Sequence, residues 1–260
     1  MPRNRRDRFY RKAKEEGYRS RAAYKLKQIN EKFEIIRKKD TVVDLGAAPG
    51  GWLQVAYELS GGRVVGVDLL RIKDIEGVDT IKGDIRLDET VEKIRELIGE
   101  NGADAVICDA APNLSGNWSY DHARSIDLAS SALGCALKIL KLGGVFAVKV
   151  FQGDMFPGFL DKARQNFVKV QAFSPEASRK QSAEIYVIGR GLLSGNVRVG
   201  EEYNVTIESI GESGDGIAKI NDMVVFVKGA KKGESVNIRI RDVKPRFAFG
   251  DIIDQPDERL

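Results

Sequence analysis

Histidine and cysteine are nearly missing from this chain: 260 residues include one histidine, His122, and two cysteines, Cys108 and Cys135. The two cysteines have no metal-type spacing, which argues against a zinc site and against a disulfide framework. No metal is expected, and a reducing, cytoplasmic setting is the default. No apolar run approaches the ~20 residues needed to span a bilayer. The basic N-terminus has no apolar segment behind it, so it does not read as a secretory signal. No membrane partner is expected. The dinucleotide-binding pattern G-x-G-x-x-G is also absent, which disfavours a nicotinamide oxidoreductase.

What is present is an uneven charge. The formal net charge is +4, yet residues 1–40 hold 15 Lys and Arg against 6 Asp and Glu, so the rest of the chain is net acidic. Such asymmetry points the N-terminal end at a polyanion. The interleaved Phe9, Tyr10 and Tyr18 favour RNA over a merely solvated tail, because rings stack on unpaired bases. Behind this arm, Ala22, Leu26, Ile29, Phe33 and Ile36 recur at helical spacing, predicting a helix over 20–37. Lys25 lies on or beside that apolar stripe, an unusual place for a free charge.

From Thr41 to Gly189 strand-like and helix-like segments alternate, which predicts a doubly wound α/β sheet with helices on both faces. FVKVQAF (167–173) and EIYVIG (184–189) follow one another with no helical pattern between them, predicting a terminal hairpin with one antiparallel strand. Near Gly191 the texture changes. From Val197 to Ile253 the chain reads as four or five short, glycine-punctuated strands, a small β-barrel. Two domains are expected, 1–192 and 193–260, joined near 191–196.

Strand one runs into the turn D44-L-G-A-A-P-G-G-W52, where glycines let the backbone approach a ligand closely. Strand two ends in Asp68, placed for ribose hydroxyls, and Gly83-Asp84 follows strand three, placed for an adenine edge. Together they predict a nucleoside-type cofactor site. Asp109 ends the fourth strand, Lys149 interrupts the apolar run VFAVKVF, and Glu184 opens the last strand. In an open sheet the carboxyl ends of parallel strands share one edge, and an antiparallel strand begins there. Asp109, Lys149 and Glu184 are therefore expected to converge, either as a functional group or as a structural ion-pair cluster.

The ordered set S20-R-A-A-Y-K-L, D44-L-G-A-A-P-G-G-W-L-Q, G66-V-D-L, G83-D-I, C108-D-A-A-P-N, G143-G-V-F-A-V-K-V-F and S178-R-K-Q-S-A-E-I-Y-V-I-G resembles the RlmE (FtsJ/RrmJ) family of ribosomal RNA ribose 2′-O-methyltransferases. The resemblance implies a Rossmann-like methyltransferase sheet and S-adenosyl-L-methionine as cofactor. It implies a catalytic tetrad at Lys25, Asp109, Lys149 and Glu184, and cofactor contacts at Gly50, Trp52, Asp68, Asp84 and Asp109. The tail, with G211-E-S-G-D-G-I-A and V225-F-V-K-G-A, is similar to a TRAM domain, an RNA-binding β-barrel; this combination looks like the archaeal form of the family. Implied partners are ribosomal RNA or the large ribosomal subunit, and the acceptor implied is a uridine of 23S RNA. A monomer is expected.

Lys149 is the expected general base, with a pKa depressed by burial and by Lys25. Cys108 reads as a small buried residue with no base beside it, which weakens a cytosine-methylating alternative. His122 falls at the start of a helix, contacting RNA or nothing. The rival readings are a 2′-O-methyltransferase of tRNA or another RNA, and a non-catalytic ribosome-assembly protein.

Overall fold

The computed structural model describes residues 8–178, 183–195, 197–221 and 223–253. The part read as a basic arm begins with a helix, α1 (Arg8–Glu15). Its Arg, Lys, Ala and Glu are good helix formers, and it is anchored by Ala13, buried with Tyr24 and Ala177. The next helix, α2 (Ala23–Phe33), is shorter than the periodicity predicts. It stops because Glu34 turns left-handed (φ 47°) while donating its N–H to Asn30 O, and Asn30 Oδ1 then caps the N–H of Ile36.

The elements β1 (Val42–Leu45), α3 (Gly51–Ser60), β2 (Val64–Asp68), β3 (Val78–Lys82), α4 (Asp88–Ile98), β4 (Ala103–Cys108), α5 (Trp118–Ile139), β5 (Leu140–Phe151), α6 (Phe156–Arg164), β6 (Phe167–Phe173) and β7 (Glu184–Leu192) follow. They build one seven-stranded sheet of order β3-β2-β1-β4-β5-β7-β6. β1, β2, β3, β4 and β5 pair in parallel, and β7 runs antiparallel between β5 and β6. The sheet is thus Rossmann-like with one antiparallel strand.

Strand alternation sorts the core into two layers. Val43 and Leu45 face Ile94 of α4, Ala129 and Leu133 of α5 and Phe159 of α6. Val42, Ala105, Ala147 and Tyr186 face the other way, toward Leu26 and Ile29 of α2 and Trp52 and Leu53 of α3. Each fully buried Leu, Ile or Phe contributes on the order of 1.5–3 kcal/mol. The strand order reverses between β1 and β4, and ligands bind at the carboxyl edge of such a switch point.

The remaining strands, β8 (Glu202–Thr206), β9 (Ser209–Ile210), β10 (Gly216–Ile220), β11 (Met223–Val227), β12 (Ser235–Val243) and β13 (Phe247–Ile252), form a curled six-stranded sheet around Val205, Val225, Ile238 and Ala248. The sequence predicts four or five strands; the extra one is the two-residue β9, too short to leave a hydrophobic pattern.

Candidate active site

The carboxyl edge gathers charge by strand register. β5 and β7 pair Lys149 with Tyr186 and Phe151 with Glu184, so Lys149 and Glu184 are offset by two residues on neighbouring strands, on the same face. Asp109 follows β4 at the same edge. Lys25 reaches it from the buried face of α2.

Asp109 is the hub. Its Oδ1 lies 3.0 Å from Lys149 Nζ and 3.9 Å from Lys25 Nζ. Lys149 Nζ also donates to the Asp109 carbonyl at 2.6 Å. Lys25 Nζ donates to Glu184 Oε2 at 2.9 Å. Both lysines are buried. The structure therefore brings together Lys25, Asp109, Lys149 and Glu184. Buried charges of this kind are tolerated because they are paired and hydrogen-bonded.

The expected depression of the Lys149 pKa is not what this geometry produces. Burial is the largest influence and pushes it down. The Asp109 and Glu184 charges and the hydrogen bond to Asp109 together outweigh burial, so the net shift is upward from 10.5. Lys149 rests as an ammonium. The expectation failed because two carboxylates face this amine, whereas sequence reasoning weighed burial and Lys25 above them.

Sequence reasoning passed over Tyr186. Its hydroxyl donates to Asp109 Oδ1 at 2.5 Å, its ring is fully buried, and it stacks on Trp52 with centroids 5.7 Å apart. Burial, then the Asp109 charge, raises its pKa well above 10, so it is a permanent donor. The signal was its position two residues after Glu184, on the same face of β7. Cys108 is buried and its thiol is pushed up to about 12, chiefly by burial, so it holds its proton.

The cofactor-site residues surround the turn after β1. Asp68 Oδ2 accepts from Ala48 N at 2.9 Å and Oδ1 accepts from Leu70 N at 2.8 Å, so this carboxylate shapes the turn while keeping a free lone pair on each oxygen. Asp84 is held by Arg86 through contacts of 2.6–3.1 Å, and that hydrogen bonding lowers its pKa. Trp52 is placed differently: its ring is in the core, with Nε1 donating to Ala22 O at 2.8 Å. What Trp52 offers a ligand is its backbone N–H in the first turn of α3.

Gly50 gives that turn no side-chain cap, and the first amides of a helix have no intrahelical partner, which makes this helix start a natural seat for a carboxylate. Gly50 precedes it at φ 108°, and a Cβ there would lie 2.9 Å from Ile75 and 3.0 Å from the Arg19 guanidinium. Arg19 ties this turn down, donating to the carbonyls of Pro49, Lys73 and Asp74.

Beneath the turn lies Asp44, which sequence reasoning quoted only as part of the motif. It is fully buried, and neither carboxyl oxygen has a hydrogen-bond partner among the described residues. Burial, then the charges of Asp109 and Asp68, raises its pKa well above 3.8. An orphaned buried carboxyl, an uncapped helix start and a pair of ribose-type acceptors fit an amino acid joined to a nucleoside.

His122, whose sequence placement left it with RNA or nothing, is instead buried. Its Nε2 accepts from Met155 N at 3.2 Å. A cavity of about 620 Å³, lined by Arg95, Gly99 and Lys141, lies at the far end of β5 from Lys149, away from this chemistry. No group of three or more His, Cys, Asp and Glu able to hold a metal occurs among the described residues. No helix among them is long and apolar enough to cross a membrane.

Comparison with known proteins adds five observations. A family model described as FtsJ-like methyltransferase matches residues 18–192, and a TRAM domain model matches 196–253. A "Ribosomal RNA large subunit methyltransferase E" of Methanococcoides burtonii is 64% identical over 261 residues, covering 100% of this chain and 98% of the relative. A protein of the same name from Methanosarcina mazei is 65% identical, covering 97% of this chain and 94% of the relative. Among solved structures, a putative ribosomal RNA methyltransferase from Plasmodium falciparum superposes with a TM-score of 0.62 at 28% identity, covering 67% of this chain and 98% of that one.

Proposed function

The chain belongs to the FtsJ-like methyltransferase family, and from that premise we propose that it methylates a uridine ribose 2′-hydroxyl of large-subunit (23S) ribosomal RNA in the cytoplasm, using S-adenosyl-L-methionine. The observation that carries the proposal is the buried Lys25–Asp109–Lys149–Glu184 cluster beside the glycine turn. The archaeal relatives' names support the substrate, and the TRAM match supports an RNA-binding tail.

The first-turn amides of α3 and the Asp44 carboxyl are assigned to the methionine part of the cofactor, Asp68 to its ribose, and Gly83-Asp84 to its adenine edge. Bound there, the cofactor supplies an electrophilic methyl group on a sulfonium. Asp109 faces that position and fixes the Lys149 ammonium through its carboxylate and its carbonyl. Tyr186 keeps Asp109 in place. Lys25, locked to Glu184, offers a second donor to the incoming hydroxyl. Positioning the hydroxyl in line supplies much of the rate, because held reactants have a large effective molarity.

The hydroxyl's proton goes to Lys149 Nζ. That step requires the neutral amine, which is a minor form at neutral pH given the raised pKa. The sulfonium charge of a bound cofactor would disfavour the ammonium in this low-dielectric edge and so increase the neutral fraction. The experiment is Lys149→Ala with S-adenosyl-L-methionine binding followed by calorimetry and methyl transfer followed on unmodified ribosomal particles. Turnover is expected to vanish while cofactor affinity stays nearly intact; substantial remaining activity overturns the assignment.

A further inference from the structure

Trp118, the first residue of α5, holds a position that the reaction scheme does not use. This tryptophan is 52% exposed, whereas the other one, Trp52, is 3% exposed. Its ring stacks on His122 and on Phe151, each at 6.0 Å and 17°. Phe151 pairs with Glu184 and lies two residues beyond Lys149. Two residues of extended strand cover about 7 Å, and the Trp118 ring lies a further 6.0 Å from that of Phe151, so Trp118 stands near the reacting amine but not against it.

The exposure does not come from a loose loop. Asp121 accepts hydrogen bonds from Ser115 N, Ser115 Oγ and Gly116 N, Asn117 caps the N–H of Tyr120, and Arg124 donates to Asn113 O. On the other side, His122 Nε2 accepts the Met155 amide, linking the segment after β5 to the one after β4. Met155, whose amide is bonded to the ring on which Trp118 stacks, is itself half-exposed. A large aromatic held rigidly in water at the rim of a charged site is an unfavourable way to leave a surface, and apolar patches of this kind mark binding sites.

We propose that Trp118, with Met155 nearby, is a stacking platform for an unpaired nucleobase of the RNA, either the base of the reacting nucleotide or its neighbour. The proposal rests on the RNA 2′-hydroxyl reading above. A ribose hydroxyl reaches buried Lys149 only when its nucleotide leaves a helix, and splayed bases are held by stacking on aromatic side chains. Stacking tolerates any base, so Trp118 sets the geometry of the strand rather than its sequence.

The test uses the full chain and its W118F and W118A variants. A single-stranded oligouridylate is added, with binding followed by anisotropy and tryptophan emission followed in parallel. The expected result is quenching of the wild-type emission by the single strand, no quenching by the same strand in a duplex, and loss of the quenching in W118F. W118A raises the apparent KM for RNA on the order of tenfold, leaves the affinity for S-adenosyl-L-methionine and the Tm unchanged, and W118F recovers most of the loss. Binding without quenching, quenching that persists in W118F, or an unchanged KM in W118A each overturns the platform. A W118A defect on assembled subunits but not on protein-free RNA also overturns it, in favour of a protein occupant. Failure of the wild type to methylate any RNA refutes the underlying reading instead, and the quenching experiment still decides the platform by itself.

Discussion

Replacing Asp109 by Asn tests the electrostatics of the site most directly, because it removes one charge and little volume. The carboxylate lies 3.0 Å from Lys149 Nζ. At an effective dielectric constant of 20, a unit pair at that distance is worth roughly 5 kcal/mol. The carboxylate is shared with Lys25 and Tyr186, so the realised effect is smaller. Its direction is downward: with the leading attraction gone, burial dominates at Lys149. The assay is single-turnover methyl transfer from pH 6 to 10. In the wild type, log rate climbs with a slope near one across the range, because the neutral amine is still a minority species at the upper end. In D109N the climb bends to a plateau inside the range. That plateau is lower than the rate the wild type reaches at pH 10, because the amine is no longer held in line. A wild-type rate that is flat from pH 7 to 9, or a D109N profile with no bend, refutes proton acceptance by Lys149.

Further outcomes follow from the same geometry. Tyr186→Phe removes the hydroxyl that fixes Asp109 and leaves the ring on Trp52; kcat should fall about tenfold, one hydrogen bond to a charged group, with KM for RNA unchanged. Asp44→Asn should separate stability from binding. A carboxyl whose folded pKa is raised loses stability as pH climbs from its unfolded value toward its folded one. The Asn variant escapes that loss, so its Tm advantage should be absent near pH 3.8 and grow as pH rises, while cofactor affinity measured by calorimetry falls more than tenfold; a Tm that drops at pH 8 contradicts the orphaned carboxyl. Gly46→Ala places a Cβ 2.4 Å from that of Ala110 at φ 75°. The backbone conformation and the overlap together should destabilise by roughly 2–4 kcal/mol, read as a lower denaturant midpoint.

Much of this protein is written locally in its sequence. Alternating apolar strands and amphipathic helices specify the sheet, because side-chain period and connection length leave few other ways to bury those faces. Asp68, Asp109 and Lys149 are legible because each sits at or near the carboxyl end of a parallel strand, and topology alone carries such residues to one edge. Glu184 is legible because an antiparallel strand starts where the others stop. Other features depend on distances between segments far apart in the chain. Two carboxylates lie closer to Lys149 than its neighbours in sequence reveal, and so its proton is held rather than released. The Tyr186 hydroxyl acquires its role from a residue 77 positions away. Asp44 is left without a partner by the packing around the turn after β1, and His122 is buried because the segments after β4 and β5 close over it. Composition and period fix which faces meet; only the assembled core decides how far apart two charges stand, and electrostatic effects in a low dielectric turn on that separation.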